Sequence, residues 1–229
     1  YLKKMGYPVT VFEKEKRPGG MLMNGIPSFR LEKDVINAEI DVLREMGVEF
    51  KCGVEVGEDI TIAQLREQGY KAFYIAIGAQ GGRMTGVPGE DAVGVETGVD
   101  FLRCVNLNEE GVKLSGKTVV IGGGNVAVDV ARTALRTGSS DVSMFCLESR
   151  DIMPAADDEV AEAEEEGIVV NNSWGPKEIL TENGKVTAVV FKKCISVLDE
   201  NKRFSPKYDE EELLTVSCDQ VLLSIGQSI

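Results

Sequence analysis

The residues that point most directly to chemistry form a glycine-rich turn in the string VVIGGGNVA, at 119–127. Gly122, Gly124 and Ala127 match the pattern GxGxxA. The first glycine of this pattern permits a tight strand-to-helix turn, the second lets the backbone approach a pyrophosphate, and the alanine lets the helix pack against the strand. An acid, Glu148, follows at about the 20 residues expected for a partner of a ribose hydroxyl. The pattern predicts a dinucleotide site.

This turn has the local elements that it needs on both sides. The sequence predicts a strand at 117–121, a helix at 125–137 and a strand at 141–147, which together make a complete βαβ unit. The N-terminus of that helix would offer N–H groups and a partial positive charge to phosphates. The alternative is a glycine turn that serves packing alone.

The chain after this unit is predicted to be an acidic helix near 155–166, a strand in IVVNNSW and a meander. Asn183-Gly184 is the predicted hairpin turn of the meander, because both residue types accept a positive φ. The acidic run at 156–167 indicates a solvated helix face, and a docking surface for a basic electron carrier is the alternative.

The beginning of the chain has the pattern of the second half of another βαβ unit. Tyr1 to Met5 reads as the last turn of a helix that stops at Gly6, and a short apolar strand then ends on the acid Glu13. The strand and glycine turn of the first half are not seen, so we expect the sequence to begin inside a domain.

A helix is predicted from about 34 to 46, with an apolar stripe made of Val35, Ile36, Ile40 and Leu43. A strand (VEFKCGVEV), a short helix (TIAQLREQGY) and a strand buried on both faces (KAFYIAIGAQ) would follow. Residues 81–89 are the predicted linker, and VETGVDFLRCV a helix. The final strand, VSCDQVLLSIGQ, has the same pattern as KAFYIAIGAQ. We therefore expect 86–217 to be a domain inserted into a domain made of 1–85 and 218–229.

Composition excludes several classes of protein. The 229 residues carry a net charge of −13, which argues against nucleic acid and anionic membranes as partners. The five cysteines form no CxxC pair and there is no histidine, which excludes a thioredoxin-reductase-type redox pair, an iron–sulfur motif in this stretch and the usual zinc site. No run of 18 apolar residues occurs, so a soluble, cytoplasmic protein with reduced thiols is expected.

Several strings occur in an order that resembles a known family: FEKEKRPGGMLMNGIPSFRLEK, YKAFYIAIGA, GKTVVIGGGNVAVDVARTALRTG, MPAADDEV and VLLSIGQ. They resemble the small subunit of bacterial glutamate synthase and the flavin/nicotinamide segment of dihydropyrimidine dehydrogenase. The resemblance implies an α/β fold with two three-layer, Rossmann-like dinucleotide-binding domains, one for FAD and an inserted one for NAD(P)H. It also implies that the chain is an internal fragment, inactive by itself, with the family's iron–sulfur segment before Tyr1 and its final flavin-binding segment after Ile229.

The resemblance implies roles for particular residues, which sort by cofactor. For FAD, Glu13 would bind the adenosine ribose, and Gly19, Gly20 and Met21 would line the diphosphate and flavin side. Arg30 would contact the flavin, and Ala79 and Val56 are further candidates for this contact. For the nicotinamide nucleotide, the phosphates would rest on Gly123, Gly124, Asn125 and Val126, and Gly226 and Gln227 would lie where the two sites meet.

The expected function is therefore an electron-input module that passes hydride from NAD(P)H to FAD and electrons onward to a large-subunit or iron–sulfur acceptor. Such chemistry belongs to the cofactors, so no catalytic side chain is predicted. The alternative is a non-catalytic nucleotide-binding or scaffold domain of a larger redox assembly. NADH is the expected nucleotide, because Leu147 and Glu148 stand where NADPH-using members of the family carry two adjacent arginines. Arg150 would oppose this preference, because it follows Glu148 by two residues and could turn toward the 2′-phosphate of NADPH.

Overall fold

The computed structural model describes residues 1–108 and 111–229, and the chain divides into two compact units, Tyr1–Gly78 and Ala79–Ile229. Within the described residues, every helix is too short or too polar to cross a lipid bilayer.

The first unit is built on two parallel strands, β1 (Thr10–Glu13) and β2 (Glu49–Cys52). Three α-helices accompany them: the single turn α1 (Met21–Asn24), α2 (Lys33–Glu45) and α3 (Ile62–Glu67). A 3₁₀ turn at Lys3–Met5 ends at Gly6, where the sequence predicts the end of a helix. Ile36 and Ile40, one turn apart on α2, are buried with Met23 in a small core. Val35 and Leu43, predicted to share the stripe of these isoleucines, are instead exposed. A small sheet thus leaves part of the apolar face of α2 uncovered.

The elements of the second unit are, in chain order, β3 (Gly81–Gly82), β4 (Val95–Thr97), α4 (Gly98–Leu107), β5 (Lys117–Ile121), α5 (Asn125–Arg136), β6 (Asp141–Cys146), α6 (Asp157–Glu165), β7 (Val169–Asn172), β8 (Trp174–Glu182), β9 (Lys185–Leu198), β10 (Phe204–Ser217), β11 (Gln220–Leu223) and β12 (Gln227–Ser228). Five of the strands form a parallel sheet in the order β4-β11-β5-β6-β7, with an antiparallel meander β8-β9-β10 and a short pair β3-β12. The predicted βαβ unit is therefore present at β5-α5-β6.

The five-stranded sheet is covered on both faces, which is why its strands are continuously apolar. Val120 of β5 faces a core formed with α4, α5 and α6, whereas its neighbours Val119 and Ile121 face a core formed with the meander. Phe145 and Phe191 stack across this second core with ring centroids 4.1 Å apart. These layers confirm the predicted α/β class and place the glycine turn at the carboxyl edge of the sheet.

The acidic helix α6 is fastened to α5 by a network of ion pairs. The buried guanidinium of Arg132 contacts Glu162 and Glu166, each at 2.6 Å, and Arg136 contacts Glu166 at 2.6 Å. The run at 156–167, predicted to be a solvated face, is thus partly neutralised by arginines of the same unit.

Two predictions about the apolar runs need correction. Residues 71–80, predicted to be a buried strand, lie outside any strand among the described residues, with Tyr74 and Ile75 exposed at 90% and 77%. The final run, assigned to the first domain by its similar pattern, forms β11 between β4 and β5 in the second unit. An apolar run predicts burial in a sheet, but it does not say which sheet offers a partner.

The predicted linker at 81–89 also differs in the structure. Gly81 and Gly82 pair with β12, the carbonyl of Pro88 accepts the N–H of Ile179 at 2.8 Å, and Val87 packs against the meander-side core. This segment is therefore part of the second unit, and the boundary between the compact units falls at Gly78.

Candidate functional site: the glycine turn between β5 and α5

Gly122 makes the turn at the end of β5 possible. Its N–H donates to the carbonyl of Phe145 at 2.9 Å, and its φ is +148°. A methyl group at this position would overlap the carbonyl oxygen of Ser224, the residue that follows β11. Glycine is required here both for backbone conformation and for space.

Gly124 has a different function in the same turn. It caps α5 with an ordinary φ of −95°, and a methyl group there would meet no atom within 4 Å. The following residues, Asn125 and Val126, are exposed, whereas Ala127 is fully buried beneath them. The first N–H groups of a helix have no partner within the helix, so the turn presents donors toward open space. This cradle fits a pyrophosphate group.

The turn is also the anchor of α6. The carbonyl of Gly123 accepts the N–H of Ala155 at 3.0 Å, and the Asn125 side chain accepts the N–H of Ala156 at 2.8 Å. The Asn125 side chain thus holds the start of α6, which leaves its backbone N–H as the group for the phosphate contact predicted there.

Glu148 lies beside the glycines, as its spacing predicts. Its Oε2 is 2.9 Å from the position that a methyl group on Gly123 would occupy. Its carbonyl accepts hydrogen bonds from the Asn172 side chain at 3.1 Å and from the N–H of Ser173 at 3.0 Å. The carboxylate is therefore held next to the cradle, where it can accept a hydrogen bond from a ribose hydroxyl.

Asn172 was not among the predicted residues, although its place in the sequence offered a signal. Strand β7 changes from apolar to polar at Asn171 and Asn172, at its carboxyl end. The Asn172 amide also contacts the sulfur of Cys146 at 3.2 Å. Burial, followed by the charge of Glu148, raises the pKa of this thiol to about 11, so it stays protonated at neutral pH.

Arg150 follows Glu148 by two residues but is engaged elsewhere. Its two terminal nitrogens contact the two carboxylate oxygens of Glu164, at 3.2 and 3.3 Å. Glu164 lies near the end of α6, a location that no local sequence signal predicts. The positive charge of Arg150, which could favour NADPH, is thus already paired with Glu164.

Three other predicted residues lie at or next to the short β3-β12 pair of the second unit, and a fourth, Val56, lies in the first unit. The carbonyl of Gly226 accepts the N–H of Arg83 at 3.2 Å, Gln227 pairs with Gly82, and Ala79 is half-buried at the start of the second unit. Val56, in the first unit, is half-exposed and bridges to Ile60.

The residues predicted for FAD in the first unit have local contacts. Glu13 ends β1, and its Oε1 accepts the N–H of Glu15 at 2.9 Å. Gly19 and Gly20 have φ values of +132° and +53°, and a methyl group on Gly20 would meet no atom within 4 Å. Met21 begins α1, and Arg30 is half-buried. The open backbone at Gly20 is compatible with the close approach of a diphosphate, and the cofactor roles of these residues remain predictions.

Comparison with known proteins agrees with the sequence-based resemblance. The sequence profile of the pyridine nucleotide-disulphide oxidoreductase family matches residues 1–229. The NADP(+)-dependent formate dehydrogenase subunit beta of Moorella thermoacetica is 38% identical over 97% of this chain and 32% of its own length. The glutamate synthase [NADPH] small chain of Halomonas elongata is 35% identical over 98% of this chain and 49% of its own.

The NAD-dependent dihydropyrimidine dehydrogenase subunit PreT of Escherichia coli K12 is also 35% identical, over 99% of this chain and 50% of its own length. The predicted resemblance is thus confirmed, and the chain spans half or less of the length of these three relatives. Among solved structures, Mycobacterium tuberculosis FprA in complex with NADPH superposes with a TM-score of 0.82 at 22% identity, over 96% of this chain and 64% of that one. At this identity the match supports the fold.

Proposed function

The chain belongs to the pyridine nucleotide-disulphide oxidoreductase family, and from that premise we propose that it is an electron-input module. It would take hydride from a nicotinamide nucleotide to FAD and pass electrons to a larger or iron–sulfur partner subunit. The observation that carries the proposal is the open cradle at Gly124, with the Glu148 carboxylate held beside Gly123.

The residues of this chain would bind and orient two cofactors, whose rings supply the hydride chemistry when bound. The first N–H groups of α5 would donate to the pyrophosphate of the nicotinamide nucleotide, and the helix dipole would favour its negative charge. Glu148 would accept a hydrogen bond from the adenosine ribose. The residues proposed for FAD are Glu13, Gly19, Gly20, Met21, Arg30 and Ala79, with Gly226 and Gln227 between the two cofactors.

We propose further that the nucleotide is NADH. A carboxylate at 148 accepts hydrogen bonds from ribose hydroxyls, whereas it repels a 2′-phosphate that carries nearly two negative charges. The relatives do not decide this point, since their names include NAD, NADP(+) and NADPH. Support comes from Arg150, the nearby cation that could bind a 2′-phosphate, because Glu164 already pairs with it.

Calorimetric titration of the full-length protein with NADH and NADPH tests the preference, before and after Glu148→Arg. A gained charge-assisted contact is worth roughly 1.5–3 kcal/mol, so NADPH affinity in the variant should rise about tenfold or more. Glu182→Arg, at the hairpin end of β8, makes the same charge change and should leave both affinities unchanged. Tighter binding of NADPH than NADH by the unmodified protein, or no gain in Glu148→Arg, would refute the NADH assignment.

The flavin absorbance of the same full-length protein separates the two function classes. Bleaching of the flavin on addition of NADH is the result expected for an oxidoreductase. Nucleotide binding without bleaching would instead indicate the non-catalytic scaffold.

A further inference from the structure

The ion pair between Arg150 and Glu164 joins the segment that follows Glu148 to the carboxyl-terminal part of α6. Both partners are partly exposed, with side-chain accessibilities of 42% and 46%, and the two N–O distances are 3.2 and 3.3 Å. The guanidinium therefore has one bidentate partner rather than a buried socket.

The position of Glu164 along α6 determines where this pair holds the guanidinium. The start of α6 is fastened to the glycine turn through Ala155 and Ala156. Glu164 lies eight residues after Ala156, and a helix rises 1.5 Å per residue, so it stands about 12 Å along the axis from that fastening. The pair thus directs the Arg150 side chain toward the far end of α6.

The acids two residues before and two residues after Glu164 pair with arginines of α5. Glu162 contacts Arg132, and Glu166 contacts both Arg132 and Arg136, at 2.6 Å in each pair. These contacts fix α6 against α5 and set the face on which Glu164 stands. Glu164 is consequently the carboxylate of α6 that is placed to bind Arg150.

We propose that Glu164 is a specificity-determining residue for the nicotinamide nucleotide, because it holds Arg150 away from the place of a 2′-phosphate. The inference rests on the proposed function of the glycine turn. Glu164 is a positioning residue in this scheme: it acts on the nucleotide through Arg150 and strengthens the discrimination that Glu148 begins. Loss of Glu164 would release a cation two residues from Glu148, the residue proposed to bind the adenosine ribose.

The test is the ratio of NADPH to NADH affinity, measured by calorimetry on the full-length protein carrying Glu164→Gln. An exposed ion pair is worth up to about 1 kcal/mol, so the ratio should shift toward NADPH by about two- to fivefold, with NADH affinity unchanged. Glu165→Gln is the matched control, since Glu165 is exposed and has no ion pair within the described residues. It removes the same charge from the next position and should leave the ratio unaltered.

A second background separates the action of Arg150 from a general charge effect. In a protein that carries Arg150→Gln, the further change Glu164→Gln should no longer shift the ratio. An unchanged ratio in Glu164→Gln, an equal shift in Glu165→Gln, or a shift that persists without Arg150 would each overturn the proposal. Failure of the unmodified protein to bind either nucleotide would instead overturn the proposed function itself.

Discussion

Both units place glycines before a helix, but they hold them differently. In the second unit, Gly122 to Gly124 join a strand of a five-stranded sheet to α5, a helix of 12 residues. In the first unit, Gly19 and Gly20 precede α1, a helix of four residues, beside a two-stranded sheet. The residue types are alike, so the difference lies in the scaffold around them.

The contrast extends to what surrounds each glycine. A methyl group on Gly122 would overlap Ser224 after a neighbouring strand, whereas one on Gly20 would meet nothing within 4 Å. A methyl group on Gly19 would approach Met23 of α1 and Ile36 of α2, so helices bound the turn of the first unit, whereas the end of a neighbouring strand bounds Gly122. Strands β11 and β6 lie on either side of β5 and hold the turn of the second unit.

Native-state hydrogen exchange should reveal the largest difference between the two units. Strand β5 lies between two paired strands with a core on each face, whereas β1 pairs only with β2 among the described residues and its unit has a small core. We expect amides of β5 to exchange about 1,000-fold more slowly than those of β1, because small units open at far lower free energy. Equal protection in the two strands would contradict the contrast drawn from the sheets.

Alanine substitution should destabilise the protein more at Gly122, in the second unit, than at Gly20, in the first unit. Gly122→Ala should lower the free energy of unfolding by about 2–4 kcal/mol, because it combines a strained φ with overlap of backbone. Gly20→Ala should cost about 1–3 kcal/mol, from its backbone conformation alone (φ +53°, ψ −132°), which residues other than glycine rarely adopt. Urea titration of each variant provides the measurement.

Gly124→Ala is the control within the second turn, because it has an ordinary φ and open space. It should unfold like the unmodified protein and yet bind NADH more weakly, since its methyl group would occupy the approach of the phosphates. A large loss of stability in Gly124→Ala, or none in Gly122→Ala, would show that the two glycines have been assigned the wrong functions.

The sequence predicted this turn well because its signals are local. The expected elements at 117–121, 125–137 and 141–147 match β5, α5 and β6 within one residue at each end. The hairpin turn between β8 and β9 was predictable for the same reason, since Asn183 and Gly184 both adopt the positive φ that their residue types favour.

Two runs of similar sequence show where such reasoning fails. YKAFYIAIGAQ and VSCDQVLLSIGQ have the same apolar pattern, yet the second contains a central strand and the first is largely exposed. The pairing partners of a strand are remote in sequence, so its own composition cannot identify them. Glu164 and Asn172 escaped prediction for the same reason: their contacts with Arg150 and Glu148 exist only once α6 and β7 have packed.

The smallest expected effect concerns the ion pairs that fix α6 beside the turn. Hydrogen bonding to Arg136, together with Arg132, lowers the pKa of Glu166 from 4.5 to about 2. A carboxylate with a lowered pKa stabilises the fold above its unfolded pKa, and this contribution is lost as pH falls toward the folded value. Glu166→Gln should therefore lower the free energy of unfolding at pH 7 by about 0.5–1 kcal/mol, as for other partly exposed ion pairs.

The pH dependence of that loss distinguishes the ion pair from a change in packing. Urea titrations at pH 7, 4.5 and 3 should show the difference between the unmodified protein and Glu166→Gln shrinking below pH 4.5, because the Glu166 carboxyl of the unfolded chain takes up a proton there while the folded carboxylate stays ionised down to about pH 2. Glu165→Gln, which removes the neighbouring exposed charge, should show little loss at pH 7. If the loss in Glu166→Gln stayed constant down to pH 3, the arginine network would not be what secures α6 against α5, and the greater rigidity of the second unit would have to come from its apolar cores alone.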